Sequence, residues 1–211
     1  MTHRRTIPTR AAAVALAAIL ATALAGCGND GADGEAQPAA TSTAANGDVY
    51  ADADVTFATQ MIPHHAQAVQ MVEMTRGRPL DPEVEELAAG IRDAQVPEVE
   101  QMSDWLTSWG EEVPATSLDH ANADSHSMHG MGDADEMPGM MSAEEMDDLA
   151  SASDSEFQDM WLEMMIDHHE GAIEMARAEQ EDGRFPDAVR LAKSIESSQA
   201  AEIDTMQELL G

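Results

Sequence analysis

Met164-Met165-Ile166-Asp167-His168-His169-Glu170-Gly171-Ala172-Ile173-Glu174-Met175-Ala176 decides the reading of this chain, because the chain carries it twice. The earlier copy is Met61-Ile62-Pro63-His64-His65-Ala66-Gln67-Ala68-Val69-Gln70-Met71-Val72. At a constant offset of 104 positions, Met61, Ile62, His64, His65, Ala68 and Met71 fall on Met165, Ile166, His168, His169, Ala172 and Met175. The same offset carries Pro82, Leu87, Ala88, Ile91, Gln95, Glu98, Met102 and Leu106 onto Pro186, Leu191, Ala192, Ile195, Gln199, Glu202, Met206 and Leu210. Such self-similarity marks an internal duplication. Each unit reads as a His-His helix, a turn containing Pro and a second amphipathic helix, which is an αα-hairpin. The expected fold is therefore all-α, a four-helix bundle made of two duplicated αα-hairpins.

Helical periodicity places the histidines. With about 100° between successive residues, Trp161, Met165, His168, His169, Ala172, Met175 and Ala176 share one face, opposite Asp167, Glu170, Glu174 and Arg177. Phe57, Met61, His64, His65, Ala68 and Met71 do the same in the first copy, against Pro63, Gln70 and Glu73. Both histidine pairs should thus turn inward. Gln95 and Glu98, and their equivalents Gln199 and Glu202, interrupt the apolar stripes of the second helices. A polar group aimed into a core needs a partner, and the histidines of the facing helix are the available ones.

The pattern outlines the rest of the chain. The first helix should start at a cap on Asp52 or Asp54 and run to about Thr75, continuous through a kink at Pro63. The second should span Pro82 to Trp109, and the last Pro186 to Leu210. Ser142 to Glu145 forms a capping box for a short helix, and a long one should follow from Asp154 or Ser155 through Gln180. Residues 110–141 lose all periodicity and concentrate His120, His126, Met128, His129, Met131, Met137, Met140 and Met141 among Gly, Asp and Ser.

The N-terminus has another character. Arg4, Arg5 and Arg10 precede an apolar run from Ala11 to Leu24 that ends in Leu24-Ala25-Gly26-Cys27. This reads as a signal peptide over residues 1–26, too short to span a membrane. Leu-Ala-Gly-Cys resembles the bacterial lipobox, which implies cleavage before Cys27 and attachment of lipid to it. The expected location is therefore extracytoplasmic, lipid-anchored to the outer face of the bacterial cell membrane. Cys27 is the single cysteine, so no internal disulfide forms. Residues 27–51, rich in small and polar side chains, should be a flexible spacer before a helical domain over 52–211. The formal charge of -31 argues against nucleic acid and anionic membrane surfaces as partners and favours small cations.

The side chains also bear on metal chemistry. Imidazole binds many transition metals, whereas thioether sulfur is a soft ligand favouring Cu(I) and Ag(I) over Zn, Fe, Mg or Ca. Met61 and Met165 each lie within a turn of a histidine pair. Carboxylate-bridged di-iron bundles place Glu three residues before a ligand His, but here those positions are Met61, Ile62, Met165 and Ile166. Iron oxidation chemistry of that style is disfavoured.

The motif Met-Ile-x-His-His-x-x-Ala-x-x-Met, present twice, resembles that of the CopM-like copper-binding family, long catalogued as a domain of unknown function with a ferritin-like helical fold. The resemblance covers roughly Asp52 to Gly211 and implies a role in copper binding outside the cytoplasm and in copper resistance. The expected ligands are His64, His65, His168 and His169 with Met61, Met71, Met165 and Met175. Gln95, Glu98, Gln199 and Glu202 would support them. His126, Met128, His129, Met131, Met137, Met140 and Met141 would form a weaker, mobile acceptor. The expected cofactor is copper, as Cu(I), and the expected partner a copper transporter or acceptor protein. No catalytic residues are assigned. An oxidoreductase using the same cluster, and a metal-free surface domain, stay open as alternatives.

Overall fold

The computed structural model of the chain describes residues 40–116 and 137–211. The signal segment, Cys27 and the tract containing His120, His126, Met128, His129 and Met131 lie outside the described residues. Among the described residues the order is β1 (Thr41–Thr43), β2 (Val49–Ala51), α1 (Asp52–Glu73), α2 (Pro82–Trp109), α3 (Ala143–Ser151), α4 (Asp154–Asp182) and α5 (Pro186–Leu210). The fold is all-α, with α1–α2 and α4–α5 as the two hairpins and α3 as the short helix.

Local chemistry explains the boundaries. Pro82 and Pro186 stand at the first helical position, where the missing N–H costs nothing. Gly110, at φ 80°, supplies the left-handed residue that ends α2. Ser142 accepts from the Glu145 N–H and Glu145 reaches back to Ser142, completing the expected box before α3. Helix α1 continues through Pro63, and α2 through Pro97.

Two expectations are corrected. Neither Asp52 nor Asp54 caps α1. The cap is Ala51, and Asp54, fully buried, accepts from the backbone N–H of Ala51 at 2.6 Å and of Phe185 at 2.8 Å. The Asp54 carboxylate thereby ties the start of α1 to the turn between α4 and α5. Its duplicate, Gln158, accepts from the N–H of Asp81 at 2.8 Å and so does the same for the other turn. The second correction concerns the spacer, whose last part is structured. β1 and β2 pair antiparallel around Asn46-Gly47, with Gly47 at φ 96°. Tyr50 stacks on Trp109 with centroids 4.5 Å apart, and Trp109 meets Phe185 edge-on. The hairpin is thus fixed to one end of the bundle by aromatic burial.

The core has two apolar clusters. One holds Phe57, Met61, Met102, Trp105 and Met175, the other Met71, Ile91, Phe157, Trp161 and Met165. No described helix is long and apolar enough to cross a membrane.

Candidate metal centre

Helices α1 and α4 run antiparallel: Phe57 shares a cluster with Met175, the His64 ring meets that of His168, and Trp161 Nε1 donates to the Met71 carbonyl at 3.0 Å. The duplication relates residue i to residue i+104, so a residue touching its own equivalent lies at the axis relating the halves. His64 and His168 are that pair, with ring centroids 3.8 Å apart and planes tilted by 41°.

All four motif histidines are fully buried. His65 Nε2 donates to Glu98 Oε2 at 2.8 Å, and His169 Nε2 donates to Glu202 Oε2 at 2.7 Å. His64 Nε2 donates to the Pro138 carbonyl at 3.1 Å. Carboxylate and carbonyl oxygens only accept, so Nε2 carries a hydrogen in all three rings, and in the neutral form it is the only one. In that form Nδ1 is left as a lone pair. None of these Nδ1 atoms has a hydrogen-bond partner, and neither nitrogen of His168 has one.

The electrostatics keep the central rings neutral. Burial, and then His65, push the His64 imidazole down to about 3, with His169 adding a smaller push. His168 is held well below the ordinary histidine range by burial first, then by His64, His169 and His65. Desolvation disfavours the imidazolium, and four adjacent rings would repel one another if charged.

The methionines occupy the expected faces. Met61, Met71 and Met165 are fully buried and Met175 nearly so. Met61 and Met175 share one apolar cluster and Met71 and Met165 the other. Among the described residues, no three His, Cys, Asp or Glu side chains are arranged to enclose a metal ion. What the site offers is imidazole nitrogen with thioether sulfur on the same buried helix faces.

Of the four supporting polar residues, Glu98 and Glu202 meet the histidines. Gln95 and Gln199 do not. Both are buried, but neither side-chain group of Gln95 has a partner and Gln199 Oε1 has none.

The segment before α3 was expected to be a mobile tract through residue 141. Met137, Met140 and Met141 are instead part of a docked strap. Gln67 clasps Met141 with two bonds of 2.8 Å, Nε2 to the carbonyl and Oε1 from the N–H. A Cβ on Gly171 would overlap the Pro138 carbonyl, and one on Gly139 would overlap the Asp167 carbonyl. The two glycines let strap and helix backbones touch. This contact delivers the Pro138 carbonyl to His64. Gly171, a weak helix former within a long helix, was the only sequence signal for it.

The family model described as a domain of unknown function, DUF305, matches residues 54–210. Among solved structures, the fold resembles a DUF305 protein of Streptomyces coelicolor described as a candidate secreted protein. That pair shares 33% identity over 75% of this chain and 91% of the other, with TM-score 0.63. It also resembles CopM in its Cu(II)-bound form, at 31% identity over 74% and 95% of the chains with TM-score 0.58. The Cu(I)-bound form of CopM gives 29% identity over 74% and 94%, with TM-score 0.57. No curated protein matches. The chain is a CopM-like member of the DUF305 family.

Proposed function

We propose that this protein binds copper as Cu(I), and Ag(I) in the same way, outside the cytoplasm, to buffer it or pass it on. Copper is then cargo rather than a resident cofactor. The observation that carries the reading is the His64–His168 pair at the duplication axis, where His64 Nδ1 and both ring nitrogens of His168 are buried without a hydrogen bond. Native cores rarely leave buried nitrogen lone pairs unsatisfied, and a cation that accepts imidazole would satisfy them.

The residues around the pair support this reading. Glu98 and Glu202 fix the tautomer and orientation of His65 and His169, as outer carboxylates do for metal-binding histidines. The Pro138 carbonyl fixes His64 in the same way. Met61, Met71, Met165 and Met175 supply sulfur, which biases the set toward a soft cation. The His/Met tract is an auxiliary acceptor, with Met137, Met140 and Met141 at its docked end. Leu24-Ala25-Gly26-Cys27 supports attachment to the outer face of the membrane. A copper transporter or acceptor protein at that membrane is the fitting partner.

The test is a competitive Cu(I) titration under reducing conditions, read by intact mass. The parent chain should take up Cu(I), and a variant with His64, His65, His168 and His169 all changed to Gln should lose the tight fraction. Equal tight binding by both proteins would reject the assignment.

A further inference from the structure

A cavity of about 380 Å³ opens between α1, α4 and Pro138 of the strap. Its walls include Phe57 and Gln60 from α1, Glu174, Met175 and Asp182 from α4, and Pro138 from the strap. Pro138 is the residue whose carbonyl holds His64, and Met175 shares an apolar cluster with Met61. The cavity wall is therefore in direct contact with the candidate ligands.

Its counterpart across the duplication differs. Where the open side has Ala53, Thr56 and Ala178, the offset of 104 places Phe157, Met160 and Met74. Phe157 is fully buried, and Met160 and Met74 pack against its cluster. The acids differ too: Glu174, Glu179 and Asp182 correspond to Gln70, Thr75 and Arg78. The Arg78 guanidinium lies 4.4 Å over the Phe157 ring and donates to the carbonyls of Ala150 and Ala152. One side is open and acidic. The other is filled and closed by a cation.

A buried acid in the open side also points to a ligand. Glu179 lines the cavity, is 2% exposed, and neither of its oxygens receives a donor. Sharing a proton with Asp54 can satisfy only one of them. The other lies buried in the cavity wall without a partner, a cost that a passing cation would relieve.

We propose that this cavity is the port through which a soft monovalent cation reaches the buried imidazoles, and that its twofold-related counterpart has been closed. Glu174 and Asp182 draw the cation in, and Met175 is the first sulfur it meets. The proposal rests on the copper-binding reading above.

The test compares the rate and the equilibrium of Cu(I) loading in the full chain, using competition with a chromophoric chelator under anaerobic, reducing conditions. Thr56→Leu with Ala178→Leu fills the exposed walls without adding sulfur. Loading should slow by about tenfold or more while the equilibrium affinity stays within about twofold, since blocking a route changes rates and not end states. Glu174→Gln with Asp182→Asn, which alters no packing, should slow loading by about tenfold at low salt and weaken its salt dependence. Parent-like rates in both variants would overturn the port. So would a loss of affinity in step with the rate, because the cavity would then be a binding site and not a route. A parent chain that takes up neither Cu(I) nor Ag(I) would reject the copper reading itself, and the port with it.

Discussion

His64 and His168, equivalent residues of the two repeats, meet with their rings tilted by 41° and 3.8 Å between centroids, their Nδ1 atoms buried and unpartnered. Two copies of one hairpin have met about an axis that runs through the most polar part of the core. The repeats are not identical there, because only His64 has the Pro138 carbonyl. Its twin faces the backbone carbonyl of His64 without completing a hydrogen bond to it.

Glu98 and Glu202 should matter through the rings they hold. In Glu98→Gln with Glu202→Gln, the side chains keep their length but lose the charge that fixes Nε2–H on His65 and His169. Copper affinity should fall by about tenfold to a hundredfold, as it does for outer-shell carboxylates elsewhere. A competition titration reads this, and an unchanged affinity would leave the two acids a purely structural role.

Gly171→Ala tests the strap. Alanine is the better helix former by about 1 kcal/mol, but its Cβ would overlap the Pro138 carbonyl, and overpacking costs about 1–3 kcal/mol. The variant should melt at the same temperature or lower, and its His64 Nε2–H should exchange faster with solvent. A rise in melting temperature with His64 still protected would show that the strap does not depend on this contact.

Stability should fall as pH rises from 7 to 9. Burial, and then Asp54, raise the Glu179 carboxyl to about 9 from an ordinary 4.5, with Asp182 adding to the rise and Arg184 opposing it. The folded state thus binds a proton that the unfolded state has already lost above pH 4.5. Its stabilising effect is complete below pH 4.5 and gone once the pH passes about 9. Glu179→Gln keeps a donor toward Asp54 and removes the titration. Melting curves between pH 7 and 9 should slope downward for the parent and lie nearly flat for the variant. Parallel curves would place the proton elsewhere.

Much of this was legible in the sequence. The ends of α2 and α5 follow from proline at the helix start, and the inward faces of α1 and α4 from periodicity. Glu98 and Glu202 could be read because each interrupts an apolar stripe at the same offset. Gln95 and Gln199 meet the same criterion, yet neither hydrogen-bonds to an imidazole, since periodicity gives a face and not a contact. The β1–β2 hairpin was missed because three-residue strands carry no periodic signal, although Asn46-Gly47 is a strong turn pair. The strap was missed because its docking depends on Gly139 and Gly171, distant in sequence and joined only by the fold.

On the proposed reading, Met61 and Met165 set the choice of metal. Replacing both by Leu preserves volume, so the fold should survive at a cost below about 1.5 kcal/mol for each change. The four imidazoles remain and still suit Zn(II) or Cu(II). Affinity for Cu(I) and Ag(I) should drop while affinity for Zn(II) holds. Equal Cu(I) affinity in variant and parent would make these two residues core filler and transfer the soft preference to Met71 and Met175.

The central claim is that a soft cation is held at the His64–His168 pair. Nitrogen-15 NMR of the imidazoles during Ag(I) titration tests it most directly, because each ring nitrogen reports its own state. On loading, His64 Nδ1 and at least one nitrogen of His168 should shift together, while the Nε2–H signals of His65 and His169 keep their bonds to Glu98 and Glu202. Tight binding of Ag(I) with all four imidazoles unmoved would contradict the account.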